Sequence, residues 1–471
     1  MEANTPVKVA AVGLGVLMAV AVPALWGQPA AGQQAPAAPV LTLEEAITTA
    51  VANNPALAIA RERVQRARNQ LREAEAQFNP RLDATGNYTR ITPTATFTIP
   101  GPPGTPPQTV EVRPPSETTA RAAVTQPIDA FGRLATARQI AGLQLDIQSY
   151  GEALTLQQLI ANVQSAYYNV LRAKGNVEVA QSAVNVAEER LRLARAQFEA
   201  GVSPRFDVTR AEVDVANLRQ TLIQAQNAVD VAKGALNNVL GVDVNRPFEV
   251  EQQAAAVTPV IVDIKASTDQ ALAARPEMQQ ARLGLELAER NVSLVEKENK
   301  PTLGLFAAAD WSSVTTAFSP NNTTYTYGAN VTWPIWTGGV TKAKVAQARN
   351  DVQIAKRNLD QARLGVELDV RTAALKVMES SKRIETAAAN VELAREALRL
   401  ARVRYQEGVA VEVEVISAEA ALTQALTNEV NSRYDYLSAV AELQRATASQ
   451  PDYMRLTSPA QAAAAPQGVS R

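Results

Sequence analysis

Small apolar residues recur along much of the chain at alternating spacings of three and four, with polar residues between them. The first series is Val177, Ala180, Val184, Ala187, Leu191 and Ala194, and the second is Ile384, Ala387, Val391, Ala394, Leu398 and Ala401. A repeat of about 3.5 residues is the seam of a coiled coil, and alanine at the seam allows close helix approach. The pattern predicts two antiparallel helical hairpins that reverse at Gly201 and Gly408. Their ascending arms, from about Arg133 and about Val340, are expected to be about 100 Å long.

A second pattern, alternation of apolar and polar residues, appears between the predicted helices in each half of the chain. It predicts strands at about 81–91, 119–128, 302–313 and 324–336. Strands of this length and alternation suit a transmembrane β-barrel. Aromatic residues cluster near the ends of the last two strands and indicate a girdle at a membrane interface. They are Trp311, Tyr325, Tyr327, Trp333 and Trp336. The alternative is a soluble sheet with an aromatic core.

The two halves of the chain are similar to each other. Residues 191–212 and 398–419 are identical at ten of 22 positions, at an offset of 207. A period this long indicates one duplicated structural unit rather than a solenoid. The predicted organisation is a signal peptide at 1–32, a first repeat at 41–240, a linker at 241–266, a second repeat at 267–447 and a disordered tail at 448–471.

Each repeat is expected to hold two shorter helices besides its long arm. The predicted ranges are about 41–79 and 205–240 in the first repeat, and about 267–300 and 411–447 in the second. A proline-rich stretch at 92–118 occurs only in the first repeat and is expected to be irregular.

Composition narrows the functional classes. The 471 residues carry a net charge of −1, which argues against a nucleic-acid partner. The sequence contains neither Cys nor His, so thiol nucleophiles, histidine bases and the commonest metal ligands are missing. We therefore expect no catalytic residue, no cofactor and no metal. The apolar run from Val9 to Val22 is too short to span a bilayer and is typical of a secretory signal peptide.

The predicted strands imply an oligomer. Open sheet edges are not tolerated in lipid, and a barrel made by a single chain needs about eight or more strands. Four strands per chain must therefore close against other subunits. Two or three copies would fit this argument equally well.

The order helix, two strands, long helix, glycine tip and helix occurs twice. The tip motif A-x-x-[RQ]-[YF]-x-x-G-x-x-x-x-x-[DE]-V occurs at Ala194–Val208 and at Ala401–Val415. Over about residues 41–450 the chain resembles the TolC-like outer-membrane efflux proteins, or outer-membrane factors. The resemblance implies a mainly α fold with a membrane β-barrel. Long coiled-coil hairpins would form an α-barrel tunnel, with four transmembrane strands per chain in one trimeric barrel.

The resemblance also implies a function. A homotrimer in the outer membrane of a Gram-negative-type bacterium, with a large periplasmic portion, would be the exit duct of a tripartite efflux or type I secretion system. Its partners would be a periplasmic adaptor (membrane fusion) protein, an inner-membrane transporter and outer-membrane lipid.

Candidate gate residues follow from the resemblance only in part. In the family, two acidic residues three apart follow the second tip and ring the closed entrance. The first matches Glu414, but the second falls on Ser417, and the family's basic tip residue falls on Ala410. Glu412 adds a carboxylate, and Asp207 is the first-repeat counterpart of Glu414. A symmetric ring of carboxylates would attract cations. The alternative is that these acids only stabilise a helix start through the helix dipole.

The tips themselves are the candidate contacts with the adaptor, at Gly201, Val202, Gly408 and Val409. The simpler alternative is that they only reverse the helices. Two other functions compete with a duct. A secreted periplasmic adaptor or coiled-coil interaction protein would carry one hairpin inside a β-rich soluble domain, not two. An enzyme has no support, because no nucleophile elbow, phosphate loop or metal-ligand spacing is present.

Overall fold

The computed structural model describes residues 39–94, 96–111, 115–251, 261–315 and 321–449. The predicted signal peptide, residues 252–260 of the linker and residues 450–471 of the tail lie outside this part. The helices are α1 (Leu43–Asn53), α2 (Pro55–Ala76), α3 (Arg133–Glu199), α4 (Arg205–Leu240), α5 (Ile264–Ala274), α6 (Pro276–Lys297), α7 (Val340–Gln406) and α8 (Glu412–Ala446). The strands are β1 (Val40–Leu41), β2 (Arg81–Arg90), β3 (Thr96–Ile99), β4 (Gln108–Glu111), β5 (Ser116–Ile128), β6 (Glu249–Val250), β7 (Thr302–Ser312) and β8 (Thr323–Thr332).

The helices form a wall of four parallel columns. Helices α3 and α7 each contain 67 residues and are each about 100 Å long. α2 and α4 both pack along α3, while α6 and α8 both pack between α3 and α7. The order across the wall is therefore α2 with α4, then α3, then α6 with α8, then α7. No helix in the described ranges is both long and apolar enough to cross a membrane.

The short helices before each sheet are broken, contrary to the prediction of single helices at about 41–79 and 267–300. The breaks fall at Asn54 and Arg275, whose backbones are extended. Each residue precedes a proline, Pro55 or Pro276, which opens the next helix. Proline disfavours the helical conformation in the residue before it and suits the first helical position.

The predicted linker at 241–266 contains strand β6 and the beginning of helix α5. Helix α5 starts inside it, at Ile264, because the side chain of Asp263 accepts hydrogen bonds from the backbone N–H groups of Lys265 (2.9 Å) and Ala266 (3.2 Å). In the same segment β6 pairs with β1 in parallel, Val40 opposite Glu249.

The larger described sheet is antiparallel, with the strand order β2-β5-β7-β8. β5 begins three residues before the predicted 119, and β8 ends at Thr332 rather than at 336. Pro334 has no N–H group to donate to a neighbouring strand, which accounts for the earlier end. The sheet is open, with β2 and β8 at its edges.

The register separates two faces of this sheet. One face is mostly apolar and carries Leu82, Ala84, Ala122, Val124, Leu303, Leu305, Ala307, Ala309, Trp311, Tyr325, Tyr327, Ala329 and Val331. The opposite face is mostly polar and carries Arg81, Asp83, Thr85, Asn87, Thr119, Arg121, Thr125, Asp310, Thr324, Thr326 and Asn330. On the polar face Arg121 pairs with Asp310 at 3.3 Å. A sheet of this kind suits an apolar medium on one side and water on the other.

The proline-rich stretch is not wholly irregular. β3 and β4 form a small antiparallel hairpin in which Thr96 lies opposite Glu111 and Ile99 opposite Gln108. Phe97 and Ile99 are exposed on it. This hairpin lies on the side of the sheet away from the helices, because β2 leaves α2 and β5 returns to α3.

Two apolar cores occupy corresponding places in the two repeats. One surrounds Val163, Val170 and Leu236, where α1 meets α3 and α4. The other surrounds Val370, Val377 and Leu443, where α5 meets α7 and α8. Corresponding residues are 207 positions apart, and all six are buried. The coiled-coil arms are thus anchored at mid-height by conventional cores.

Candidate functional site: helical tips, wall and sheet

Each hairpin reverses at a glycine in the left-handed region, Gly201 with φ +75° and Gly408 with φ +74°. Just beyond each glycine a backbone N–H reaches back to the helix end, from Val202 to the carbonyl of Gln197 (2.9 Å) and from Val409 to that of Arg404 (3.0 Å). A side chain at either glycine would meet no described atom within 4 Å, so the backbone conformation, not space, calls for glycine.

The tips expose apolar side chains to solvent. Of the predicted adaptor contacts, Val202 is 79% and Val409 is 68% exposed. Phe206 and Val411, which were not among the predicted contacts, are also exposed. The sequence did hold a signal for these two residues, because both are apolar and lie beside the turn that precedes the next helix. A turn that only reverses the chain is usually made of glycine, proline and small polar residues. Each tip therefore exposes two of these apolar side chains, Val202 and Phe206 at the first and Val409 and Val411 at the second.

The three predicted gate acids lie in the first turns of the descending helices, Asp207 in α4 and Glu412 and Glu414 in α8. The hydroxyl of Ser203 donates to the carboxylate of Asp207 at 2.5 Å. Arg404 pairs with Glu414 at 3.2 Å. Within the described part of a single chain Glu412 has no ion-pair partner. Arg404 is thus a basic residue paired with one predicted gate acid, whereas the position of the family's basic tip residue is Ala410.

The predicted aromatic girdle splits between the two ends of the sheet. Trp311 lies opposite Thr323 at the end away from the helices, and Tyr325 lies nearby opposite Ala309. Trp333 follows the last residue of β8 at the helical end, where its indole N–H donates to the carbonyl of Asn299 at 3.2 Å. Tyr325 and Trp333 are eight residues apart, which is about 26 Å along a strand.

The remaining members of the girdle are the most exposed. Tyr327, opposite Ala307, is 84% exposed, and Trp336, in the turn before α7, is 87% exposed. Trp336 therefore lies outside the strand in which it was predicted.

One face of the helical wall is covered by β1 and β6. The hydroxyl of Tyr167 on α3 donates to the carbonyls of Leu41 (3.1 Å) and Glu251 (3.3 Å). Lys174, seven residues further along α3, pairs with Glu249 of β6. Residues seven apart lie on one side of a coiled-coil helix, so this side of α3 faces the strands.

The opposite side of α3 carries three polar residues. Asn169, Arg172 and Asn176 of α3 are displaced from Tyr167 and Lys174 by two or five positions, which is about 150–205° around the helix. Together with small apolar side chains, these residues line a surface groove that α3, α4 and α8 form. The wall thus has one face covered by β1 and β6 and an opposite face that no element of the described residues covers.

A model of the family described as outer membrane efflux protein matches residues 46–242 and 268–449. The chain belongs to this family. It is 26% identical to the outer membrane protein TolC of Vibrio cholerae over 309 residues, which cover 64% of this chain and 70% of TolC. It is 27% identical to the alkaline protease secretion protein AprF of Pseudomonas aeruginosa over 295 residues, 61% of this chain and 60% of AprF. The solved structure of CusC has a TM-score of 0.73 at 20% identity, over 86% of this chain and 91% of that chain.

Family membership confirms the predicted family, the outer-membrane location and the role as an exit duct for efflux or secretion. The likeness to CusC confirms the mainly helical fold of this class. Two alternatives were weighed from the sequence, a periplasmic adaptor and an enzyme. The family that matches this chain is described as neither of these.

Proposed function

We propose that three copies of this chain form one closed duct through the outer membrane and across the periplasm. Twelve strands would make the barrel and twelve helical columns the tunnel, four from each chain. The two halves of the chain would be repeats of one duplicated unit, at 41–240 and 267–447, in a protein exported by the signal peptide at 1–32.

The open edges carry this proposal. In the described sheet β2 and β8 each pair on one side only, and the helical wall ends at α4 and α7 in the same way. Unpaired strand edges cannot face lipid. Closure of β8 on β2 of the next copy, and of α7 on its α4, satisfies both edges at once. The family resemblance selects three copies over two.

The two faces of the sheet then have definite surroundings. The apolar face would meet lipid and the face with Arg121 and Asp310 would meet the water-filled lumen. In a strand tilted by about 40°, the separation of Tyr325 from Trp333 spans about 20 Å of height, somewhat less than the apolar band of outer-membrane barrels, which is about 25 Å tall. Aromatic side chains at those heights would lie at the two membrane interfaces, with Trp336 on the periplasmic side.

The covered face of the wall would be the outside of the tunnel. A ring of twelve helices, each about 10 Å wide, leaves an opening about 30 Å across. Helices α1 and α5 from three chains would fill that opening if they lay inside. The opposite face, with Asn169, Arg172 and Asn176, would therefore line the lumen.

The tips would form the periplasmic entrance. Gly201, Val202, Gly408 and Val409, together with exposed Phe206, would contact a periplasmic adaptor that joins the duct to an inner-membrane transporter. Glu412, Glu414 and Asp207 would each occur three times around the opening. Such carboxylate rings favour cations, and Arg404 partly offsets Glu414 in each chain.

Single-channel recording of the purified protein in planar bilayers tests the duct and its entrance. The wild-type protein is expected to conduct with a cation preference. Glu414→Gln should weaken that preference, while Arg404→Gln should strengthen it by releasing the carboxylate of Glu414. Unchanged ion selectivity in both Glu414→Gln and Glu412→Gln would overturn the ring, and absence of any conductance would overturn the duct.

A further inference from the structure

The turn between β8 and α7, residues 333–339, exposes three large apolar side chains. They are Trp333, Ile335 and Trp336. Trp333 lies two positions beyond Val331 of β8, so it continues the apolar face of the sheet. The turn therefore extends the face that would meet lipid, at the end of the sheet where the helices begin. Tryptophan at that height suits the headgroup level of a membrane.

Two lysines border the β8–α7 turn. The indole N–H of Trp333 donates to the carbonyl of Asn299, which places the next residue, Lys300, beside the turn. Lys342 lies in the first turn of α7. Both lysines are exposed, and in the described part of the chain neither side chain has an ion-pair or hydrogen-bond partner. The nearby carboxylates of α6 are already paired, Glu298 with Lys344 at 2.8 Å and Glu296 with Arg349 at 3.2 Å.

The first repeat binds an anion at the equivalent helix start. There the carboxylate of Asp129 accepts from the backbone N–H groups of Leu134 (3.0 Å) and Ala135 (2.8 Å) at the beginning of α3. These N–H groups have no partner within the helix, so a negative group from outside satisfies them and is favoured by the helix dipole.

The second repeat has no such carboxylate. At the offset of 207, Trp336 stands for Asp129, and the two N–H groups belong to Thr341 and Lys342. Among the described residues these N–H groups have no acceptor, and the residue before α7, Gly339, has no capping side chain. Apolar rings, two uncompensated lysines and two free N–H donors therefore meet at one place on the surface.

We propose that the β8–α7 turn binds the headgroup of an anionic phospholipid in the periplasmic leaflet of the outer membrane, one for each subunit. The inference rests on the proposed placement of the sheet in the membrane. The phosphate accepts from the N–H groups of Thr341 and Lys342, as the carboxylate of Asp129 does in the first repeat. Trp336 and Ile335 lie against the glycerol and the first acyl carbons. The positive charge of Lys300 and Lys342 selects an anionic headgroup over a zwitterionic one.

Native mass spectrometry of the purified protein in a non-ionic detergent counts bound lipids during titration. The probes are dioleoylphosphatidylglycerol and dioleoylphosphatidylcholine, which have the same acyl chains. The wild-type protein is expected to bind phosphatidylglycerol more tightly, with one tight site per subunit. Equal affinities for the two lipids would overturn the proposal. The number of subunits in the same spectra tests the ring separately, because the lipid site lies within one chain.

Lys342→Gln should weaken the binding of phosphatidylglycerol about fivefold and leave phosphatidylcholine unchanged, because one charge beside the headgroup is lost. Lys356→Gln is the matched control. Lys356 is also exposed and lies two heptads further along the same side of α7, about 21 Å from Lys342. Equal losses in the two variants would show a general attraction to positive charge and would overturn the site.

Trp336→Asp gives the second repeat the carboxylate of the first. It should cap α7, raise the melting temperature and abolish the preference for phosphatidylglycerol. Trp336→Phe keeps an aromatic ring and should retain the preference. An aspartate variant that still prefers phosphatidylglycerol would contradict the position of the headgroup. Displacement of the bound lipid by inorganic phosphate would show a site for free phosphate instead, and would also overturn the proposal.

Discussion

In both repeats the short helices before the sheet are interrupted at corresponding positions, Asn54 and Arg275. Different side-chain interactions hold the two interruptions in place. Asn54 and Arg275 both have φ −67°, with ψ of 123° and 134°, and a proline follows each. In the first repeat the amide of Asn54 accepts from the N–H of Ala56 (2.8 Å) and donates to the carbonyl of Val239 (2.8 Å). One neutral side chain caps α2 and ties the break to α4.

In the second repeat the residue before the proline is a buried arginine, Arg275. Arg275 is 5% exposed and donates to Asp369 at 2.6 Å and to Glu277 at 2.5 Å. Arg445 of α8 binds the same Asp369 at 2.9 Å and Glu442 at 2.7 Å. The first-repeat counterparts of Asp369 and Arg445 are both asparagine, at 162 and 238.

The comparison shows that one backbone geometry can be held by a neutral capping amide or by a network of five charges. The two solutions differ in what they tolerate. Loss of a hydrogen bond between neutral groups leaves uncharged groups behind. Loss of one member of a buried ion pair leaves the other charge buried without a partner, which costs more. The second break should therefore be more sensitive to substitution, and each repeat should respond to a different end of the pH range.

Asp369→Asn should have the largest effect. It keeps the shape of the side chain but leaves Arg275 and Arg445 around a neutral amide, and we expect a loss of about 3 kcal/mol in the free energy of unfolding. Urea unfolding followed by far-UV circular dichroism measures it. Asn162→Ala, at the exposed corresponding position, is the control and should cost less than about 0.5 kcal/mol. Equal effects of the two substitutions would remove the contrast between the repeats.

Stability should fall at opposite ends of the pH range for the two repeats. Burial alone would raise the pKa of Asp369, but hydrogen bonds and charge from Arg275 and Arg445 outweigh it and hold the pKa below the ordinary 3.8. A lowered pKa adds stability above pH 3.8, and this is lost as pH falls through the folded value. Burial first, and then the charge of Glu251, raise the pKa of Tyr167 in the first repeat to about 12. That contribution is present below pH 10 and lost between pH 10 and about 12.

Melting temperatures across this range test the assignment. Asp369→Asn should reduce only the loss of stability at acid pH. Tyr167→Phe should reduce only the loss at alkaline pH, by about 3 kcal/mol at most. The second-repeat counterpart of Tyr167 is Ala374, so no compensating phenol exists there. A loss of stability at alkaline pH that survives in Tyr167→Phe would show that another group is responsible.

Asn54→Ala should cost about 1–2 kcal/mol in the free energy of unfolding, because it removes the cap of α2 and the bond to Val239. Asn54→Asp keeps the capping oxygen and loses only the donor, so it should cost less. Urea titration of the two variants separates the contributions, and an Asp variant as unstable as the Ala variant would show that the cap contributes little.

The smallest effects are expected at the tips, where the repeats are most alike. Gly201→Ala and Gly408→Ala each place a Cβ in the left-handed region at about 1 kcal/mol, without any steric clash. Thermal unfolding should show equal shifts for the two variants. Unequal shifts would mean that the two tips are not structurally equivalent.

The tips and the long arms could be predicted because their signals are local. A heptad seam and a glycine after it are visible within a few turns of sequence, and alternation assigned the sheet faces in the same way. The breaks at Pro55 and Pro276 were equally readable, since each proline directly follows the residue that leaves the helix. The early end of β8 was readable from Pro334.

The charged network around Asp369 and the ion pair between Asp435 and Arg172 could not be predicted in this way. Arg275 and Asp369 are 94 residues apart, and Asp435 and Arg172 are 263 apart. No spacing pattern joins charges on separate helices, and only the packing order of the columns brings them together. The basic partner of one gate acid was missed for the same reason. Arg404 lies ten residues before Glu414 in sequence, but on the other helix of the hairpin.

The central claim is that the open edges of one chain are closed by two further copies. Native mass spectrometry of the protein extracted from outer membranes in mild detergent measures this directly. The account predicts a single species with three times the subunit mass, which persists on dilution. A monomer or a dimer as the only species would contradict it.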